Sequence, residues 1–280
     1  MKNEIVVFTT VFPSVLSYLD VLLESLINQT NKDFDLFIAN DGVLNLEKNL
    51  CQFNDFNTII FDVNSTISKN RERAIKKIID LGYKFVIFVD SDDYIENNRI
   101  EVSLKKMKKY DIVINDVSLF DKKGVYNDKY FSKRIMNNAE INIDFIEDKN
   151  IFGLSNTSTK IELLDGIVFN EKLKAVDWYL FTCILQKGAN SVFTNETRTF
   201  YRQYENNLSG IDKYDKKSLI NCLSVKKMHY KEMSLVDEKY KTLYDEMCVL
   251  EKAVLSDFFL LEKNKIDLFW WEVTNYIKIL

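Results

Sequence analysis

Asp90, Asp92 and Asp93 follow directly on the unbroken apolar run Phe85-Val86-Ile87-Phe88-Val89, with Gly82 just upstream. Five apolar residues in a row read as a strand buried on both faces, as in the middle of a parallel sheet. Such a strand delivers its acids together at its carboxyl end, where open α/β sheets bind their ligands. Carboxylates crowded there repel one another and lose hydration, so a positive partner must sit among them. A hard divalent cation, Mg²⁺ or Mn²⁺, bound through oxygen and shared with substrate phosphates, meets that need. The plainer reading is a strand exit whose acids cap the next helix.

The elements that must position these acids follow from periodicity. Ile5 to Thr10 reads as a first buried strand, and Tyr18 to Asn28 as a helix with Leu19, Leu22, Leu23, Leu26 and Ile27 inward. Phe34 to Ala39 is a second strand, ending in the turn signal Asn40-Asp41-Gly42, and Thr58 to Phe61 a third. Lys69 to Leu81 is a helix closed by Gly82. After the central strand come a helix from about Asn97 to Lys109 and a strand Asp111 to Asn115. This alternation predicts βαβ units and a largely parallel sheet flanked by helices. From Asp116 to Asn150 the pattern weakens, with a hairpin expected at Lys123-Gly124. Ser155 to Thr159 is regular again. A helix follows over Asp177 to Lys187, then late strands at Ser191 to Phe193 and Thr197 to Tyr201. After Gly210 neither Gly nor Pro occurs and helical periodicity takes over, so a boundary is placed there: residues 1–210, then a helical extension, 211–280.

Composition excludes several classes. The 280 residues are 46% hydrophobic and 13% aromatic, ample for a packed core. The net charge of -4 and scattered Lys residues give no basic stripe for a nucleic acid. The four cysteines form no close pair and none has a His at zinc-ligand spacing, as expected of reduced thiols. No signal-peptide core opens the chain and no apolar stretch approaches the roughly 20 residues of a membrane span, so a cytoplasmic location is expected.

Six stretches, taken in order, resemble the family-2 glycosyltransferases of the GT-A fold. Leu23 to Thr30 is similar to that family's first helix with its "NQT" ending, and Ile38 to Gly42 to its "VDDGS" strand end. Asn70 to Ile75 looks like a divergent "ARNxGI", Asp90 to Ile95 matches the DxD segment, and Ala175 to Leu180 looks like the "EDW" segment. Tyr201 to Gly210 resembles the closing "YRxHxxNxSG". The resemblance covers roughly residues 4–210 and implies a nucleotide-sugar donor, most simply a UDP-sugar. On it, Thr10 and Asp41 would line the base pocket, Arg71 would hold the nucleoside, and Asp90 would bond the ribose. Asp92 would be the direct metal ligand with Asp93 in support, and Asp177 the general base. Arg202 and Tyr204 would support the site or meet the acceptor, and Trp178 would wall the acceptor.

The implied chemistry suits these residue types. A divalent cation stabilises charge growing on the leaving diphosphate, and a carboxylate takes the proton of the attacking hydroxyl. The transition state is oxocarbenium-like, and direct displacement inverts the anomeric centre. Three positions depart from the family pattern: Asn40 for the first acid of "VDDGS", Val176 for the Glu of "EDW", and Tyr204 for the closing His. Plainer roles stay open. Asp41 serves equally as a turn residue, Arg71 as a surface cation, Asp177 as a helix cap, and His229 as an ordinary helix residue.

The leading expectation is a metal-dependent inverting transferase acting on a glycan or lipid-linked acceptor in bacterial surface polysaccharide assembly. A non-catalytic sugar-nucleotide-binding scaffold and, behind it, a phosphatase of the haloacid dehalogenase type are the alternatives. The phosphatase expects its DxD on the first strand, whereas three strands precede this one. The apolar, aromatic stretches Phe258 to Leu261 and Leu268 to Leu280 are expected to pack back on the catalytic domain or on a second copy. The other option is weak peripheral contact at the inner face of the cell membrane.

Overall fold

The computed structural model describes residues 3–51, 53, 55–204, 215–262 and 270–280. The first four strands are β1 (Ile5–Val11), β2 (Asp35–Asn40), β3 (Thr58–Asp62) and β4 (Phe85–Phe88). Between them run α1 (Leu19–Ile27), the short α2 (Leu46–Leu50) and α3 (Ile67–Asp80). Then follow β5 (Tyr94–Ile95), α4 (Arg99–Met107), β6 (Ile112–Asp121), β7 (Gly124–Asn127), β8 (Thr157–Lys160), α5 (Val176–Gln186) and β9 (Ser191–Arg202). The chain ends with α6 (Lys216–Met233), α7 (Lys239–Leu255), β10 (Phe259–Leu261), a 3₁₀ turn over Trp270–Tyr276, and β11 (Ile277–Ile279).

One sheet carries the order β3-β2-β1-β4-β8-β6-β9-β5, with β7 hairpinned onto β6. The β3-β2-β1-β4 half is parallel, as the βαβ spacing predicts. The other half is mixed. β8 lies antiparallel to both β4 and β6, β6 runs parallel to β9, and β5 joins β9 antiparallel. Strand alternation splits the core between the two faces. Val6 and Phe8 meet the side of α3 and α5, whereas Ile5, Val7 and Val11 meet α1 and α4. Gly82 ends α3 with φ of 74°, the left-handed closure that its position predicts.

The departures from expectation have identifiable causes. β6 runs on to Asp121, past the expected stop at Asn115, because a register shift at Asn115/Asp116 lets it keep pairing with β9. The same shift fuses the two late strands into one. The expected boundary at Gly210, and the end of the closing motif from Glu205, lie outside the described residues. α6 buries Leu219, Leu223, Tyr230 and Met233 in the same core cluster as Val6 and Phe8. Helix ends at Leu255, and β10 and β11 form an antiparallel ribbon in place of a third helix. His229 is a residue of α6. Its ring is buried and stacks on Trp178, centroids 4.0 Å apart, and burial holds its pKa down at about 3. Among the described residues no helix is long and apolar enough to cross a membrane.

Candidate active site

The parallel register brings the ends of β1, β2 and β4 to one edge of the sheet. Thr10 and Asp41 stand at the ends of β1 and β2, and the Asp41 N–H is held by Val11 O at 2.8 Å. Asn40, in place of the first acid, clamps this turn. Its amide donates to Val43 O and to Asp62 Oδ1, and its carbonyl accepts from Val43 N–H. A neutral amide can make all three bonds, because it both donates and accepts.

The acids after β4 are separated by their partners. Arg71, on α3, reaches Asp90 at 3.5 Å. Burial and the charges of Asp92 and Asp177 outweigh that cation, pushing the Asp90 pKa up to about 6. Asp93 is buried, where it accepts from Ser155 Oγ and from the Arg202 N–H at 2.8 Å. Ser155 Oγ also receives the Asp90 N–H at 3.3 Å. Behind this turn lies Arg99, fully buried. It donates to Ser155 O, Thr199 Oγ1, Phe88 O and Thr157 O. Nothing in the local sequence marks Ser155 or Arg99. Both are recognisable only once β8 is placed beside β4.

Asp92, unlike Asp93, is partly exposed. Its Oδ2 accepts from the Tyr204 hydroxyl at 2.8 Å, and its backbone O from Arg202 Nε at 2.7 Å. The Arg202 guanidinium lies between the rings of Tyr18 and Phe120, 4.3 and 4.4 Å from their centroids, and Tyr18 also packs on Tyr204. Among the described residues no group of three His, Cys, Asp or Glu side chains forms a metal cage. Magnesium-type sites need only one or two carboxylates when a substrate's phosphates complete the shell, and Asp92 at an open strand end suits that arrangement. A bound Mg²⁺ or Mn²⁺ would there supply Lewis-acid stabilisation of phosphate charge.

Asp177 sits in the first turn of α5, half-buried, its Oδ1 accepting the Trp178 N–H at 2.9 Å. It shares a cavity of about 340 Å³ with Arg71 and Asp90. Burial raises the Asp177 pKa, while a hydrogen bond from the Asn150 side chain and the Arg71 charge oppose the rise. Asn150 is buried and has no motif around it, so the sequence gives no sign of it. Trp178 is a correction. The ring is wholly buried, its Nε1 donates to Ile146 O at 2.9 Å, and His229 covers its face, so it presents no surface to an acceptor sugar. The helix turn that exposes Asp177 necessarily points the next residue into the core.

Asn150→Ala removes the largest force keeping the Asp177 carboxylate ionised. The Asp177 pKa then rises, and any rate that depends on the ionised Asp177 carboxylate has its acidic limb moved to higher pH. A pH–rate profile of the variant checks this; an unmoved limb contradicts it.

Comparison with known proteins bears on this geometry. The family model "Glycosyl transferase family 2" matches residues 6–162, more than half of the chain. The glycosyltransferase GlyA of Streptococcus pneumoniae serotype 4 is 25% identical over 272 residues, covering 90% of this chain and 38% of GlyA. An uncharacterized glycosyltransferase of Rickettsia bellii is 30% identical over 109 residues, 37% of this chain and 15% of that protein. The chain thus spans well under half the length of these curated relatives. Among solved structures, S. aureus TarS 1-349 superposes with TM-score 0.63 at 19% identity, over 91% of this chain and 73% of that one. The same TarS fragment in complex with UDP-GlcNAc gives 0.62 at 18%, over 92% and 73%. Mannosyltransferase PcManGT from Pyrobaculum calidifontis, with GDP-Man and Mn²⁺, gives 0.56 at 14%, over 83% and 64%. The fold is that of these GT-A enzymes, and the chain belongs to glycosyl transferase family 2.

Proposed function

We propose that the chain is an inverting, divalent-metal-dependent glycosyltransferase that moves a sugar from a nucleotide sugar, a UDP-sugar by preference, to a hydroxyl of a glycan or lipid-linked acceptor in bacterial surface polysaccharide assembly. The observation that carries this reading is the placement of Asp177 in one cavity with the Arg71–Asp90 pair, while Asp92 stands beside it at the same strand end. Thr10, Asp41 and Arg71 hold the nucleoside, Asp90 the ribose, and Asp92 the metal, with Asp93 in support. Asp177 takes the proton of the acceptor hydroxyl. Residues 1–210 form the catalytic domain and 211–280 the extension. TarS in complex with UDP-GlcNAc supports the choice of donor, and PcManGT with GDP-Man and Mn²⁺ that of metal.

The test is calorimetric binding of UDP, GDP and dTDP, each with and without Mn²⁺, to the protein and to Asp92→Ala. Metal-dependent binding of UDP is expected, and its loss in Asp92→Ala. Binding of none of the three overturns the reading. One observation favours a non-catalytic nucleotide-binding scaffold: the Tyr204 hydroxyl already occupies Asp92 Oδ2, where a family His would stand instead. Turnover of the donor in the presence of an acceptor pool separates the two readings.

A further inference from the structure

The cavity that holds Asp177 is lined by Arg71 and Asp90 and also by a set of apolar side chains. Leu119 comes from β6, Phe131 and Ile151 from the long connection between β7 and β8, and Val176 precedes Asp177 itself. Val225 of α6 and Trp271 of the C-terminal 3₁₀ turn complete it, so the extension walls the cavity. The charged groups lining the cavity are Asp90, Asp177, Arg71 and Lys174, and Lys174 is exposed at its rim. The remaining polar side chains, such as Asn150 and Gln203, are neutral amides or hydroxyls.

This wall is held in place independently of any ligand. Lys226, next to Val225 and fully buried, donates to Thr274 Oγ1 at 2.7 Å. Arg134 pairs with the buried Glu272, Nη2 to Oε1 at 2.9 Å, tying the 3₁₀ turn to the residues after β7. A preformed apolar wall rewards a ligand that loses little hydration on entering, and it penalises one whose hydroxyls or charges find no partner there. The two carboxylates of the lining are matched by Arg71 and Lys174, so it offers an anion no net attraction.

We infer that the acceptor is an uncharged glycoside whose reacting hydroxyl reaches Asp177 while an apolar substituent on the same sugar, such as an N-acyl methyl group, lies against Val225 and Trp271. This rests on the transferase reading. In the step itself the acceptor oxygen forms a bond to the anomeric carbon as that carbon's bond to the diphosphate oxygen breaks. The electron pair leaves with the nucleoside diphosphate, and the hydroxyl proton passes to the Asp177 carboxylate. Val176, at the position of the Glu in the "EDW" pattern that this segment resembles, thereby adds an apolar side chain next to the base.

The test uses saturation-transfer NMR on the full chain loaded with UDP and Mn²⁺, with methyl glycosides of N-acetylglucosamine, glucose and glucose 6-phosphate as probes. N-acetylglucosamine is expected to bind about fourfold more tightly than glucose for its one buried methyl group, and the phosphate more weakly than either. Val225→Thr, which adds a hydroxyl to the wall at nearly constant volume, is expected to erase the preference with UDP affinity unchanged. Equal binding of the first two probes, tighter binding of the phosphate, no binding by any of them, or a preference that survives in Val225→Thr overturns the inference. Calorimetric UDP binding is read on the same samples. Its failure in the unmodified protein sinks the transferase reading, whereas its success alongside an absent preference sinks only the acceptor assignment.

Discussion

Asp177→Asn is expected to lower the rate of sugar transfer by roughly 10²–10⁴-fold while metal-dependent nucleotide binding is unchanged. Asn keeps the size and the acceptor oxygen that meets the Trp178 N–H, so α5 loses nothing in its first turn. What disappears is the group able to accept a proton. Among the described residues that line the cavity the other carboxylate, Asp90, is paired with Arg71, and the remaining charged groups, Arg71 and Lys174, are cations. The measurement is transfer rate and UDP calorimetry on the same preparation. A rate within tenfold of the unmodified protein contradicts the assignment of the base.

Arg99→Leu is expected to destabilise the fold by about 3–5 kcal/mol, the cost of removing one partner from a buried charged network. For a chain of this size that corresponds to a fall in Tm of roughly 10 °C. Arg99 is fully buried, and burial lowers its pKa to about 9, still leaving it charged at neutral pH. Its cost of burial is offset by four acceptors, three of them the backbone carbonyls of Phe88 in β4 and of Ser155 and Thr157 at the start of β8, and by the buried Asp93. Without it those carbonyls lose their donor and Asp93 loses its counter-charge. Thermal unfolding followed by circular dichroism checks this. A loss below about 1 kcal/mol would show that water or a neighbouring Lys replaces the guanidinium.

The contrast between these two residues explains what was legible in the sequence. β1, β2 and β4 announce themselves as continuous apolar runs because strands buried on both faces have no polar side to show. Asp90, Asp92 and Asp177 stand out because chemistry needs charges where packing does not. β8 reads Thr-Ser-Thr-Lys, regular but with no apolar side chain to mark a buried strand, yet Thr157, Ser158 and Thr159 are wholly buried. Two of the three hydroxyls are settled by distant partners: Ser158 donates to Ser103 Oγ and Thr159 to Asp111 O. A polar strand of this kind has no local signature, and the residues it organises inherit that silence. Asn150, Ser155 and Arg99 act across separations of 27, 62 and 56 residues, respectively on Asp177, Asp93 and Ser155 O. Trp178 misleads for the complementary reason: an aromatic beside a candidate base suggests a sugar platform, whereas helix geometry sends it inward.

The antiparallel insertion of β8 between β4 and β6 also sets a timetable. As the chain leaves the ribosome, β1 to β4 can pair as soon as Phe88 emerges, but the far edge of β4 then has no neighbour. Its partner is encoded some 70 residues later, and at about 5–20 residues per second several seconds pass before it appears. During that interval the edge Phe85-Val86-Ile87 is an open, apolar template for foreign strands. The acid cluster stays incomplete longer still, since Ser155 arrives with β8 but Arg202 only at the end of β9. A nascent chain of this protein is therefore most prone to aggregate until β8 docks, and its acid site is completed only afterwards, when β9 joins the sheet.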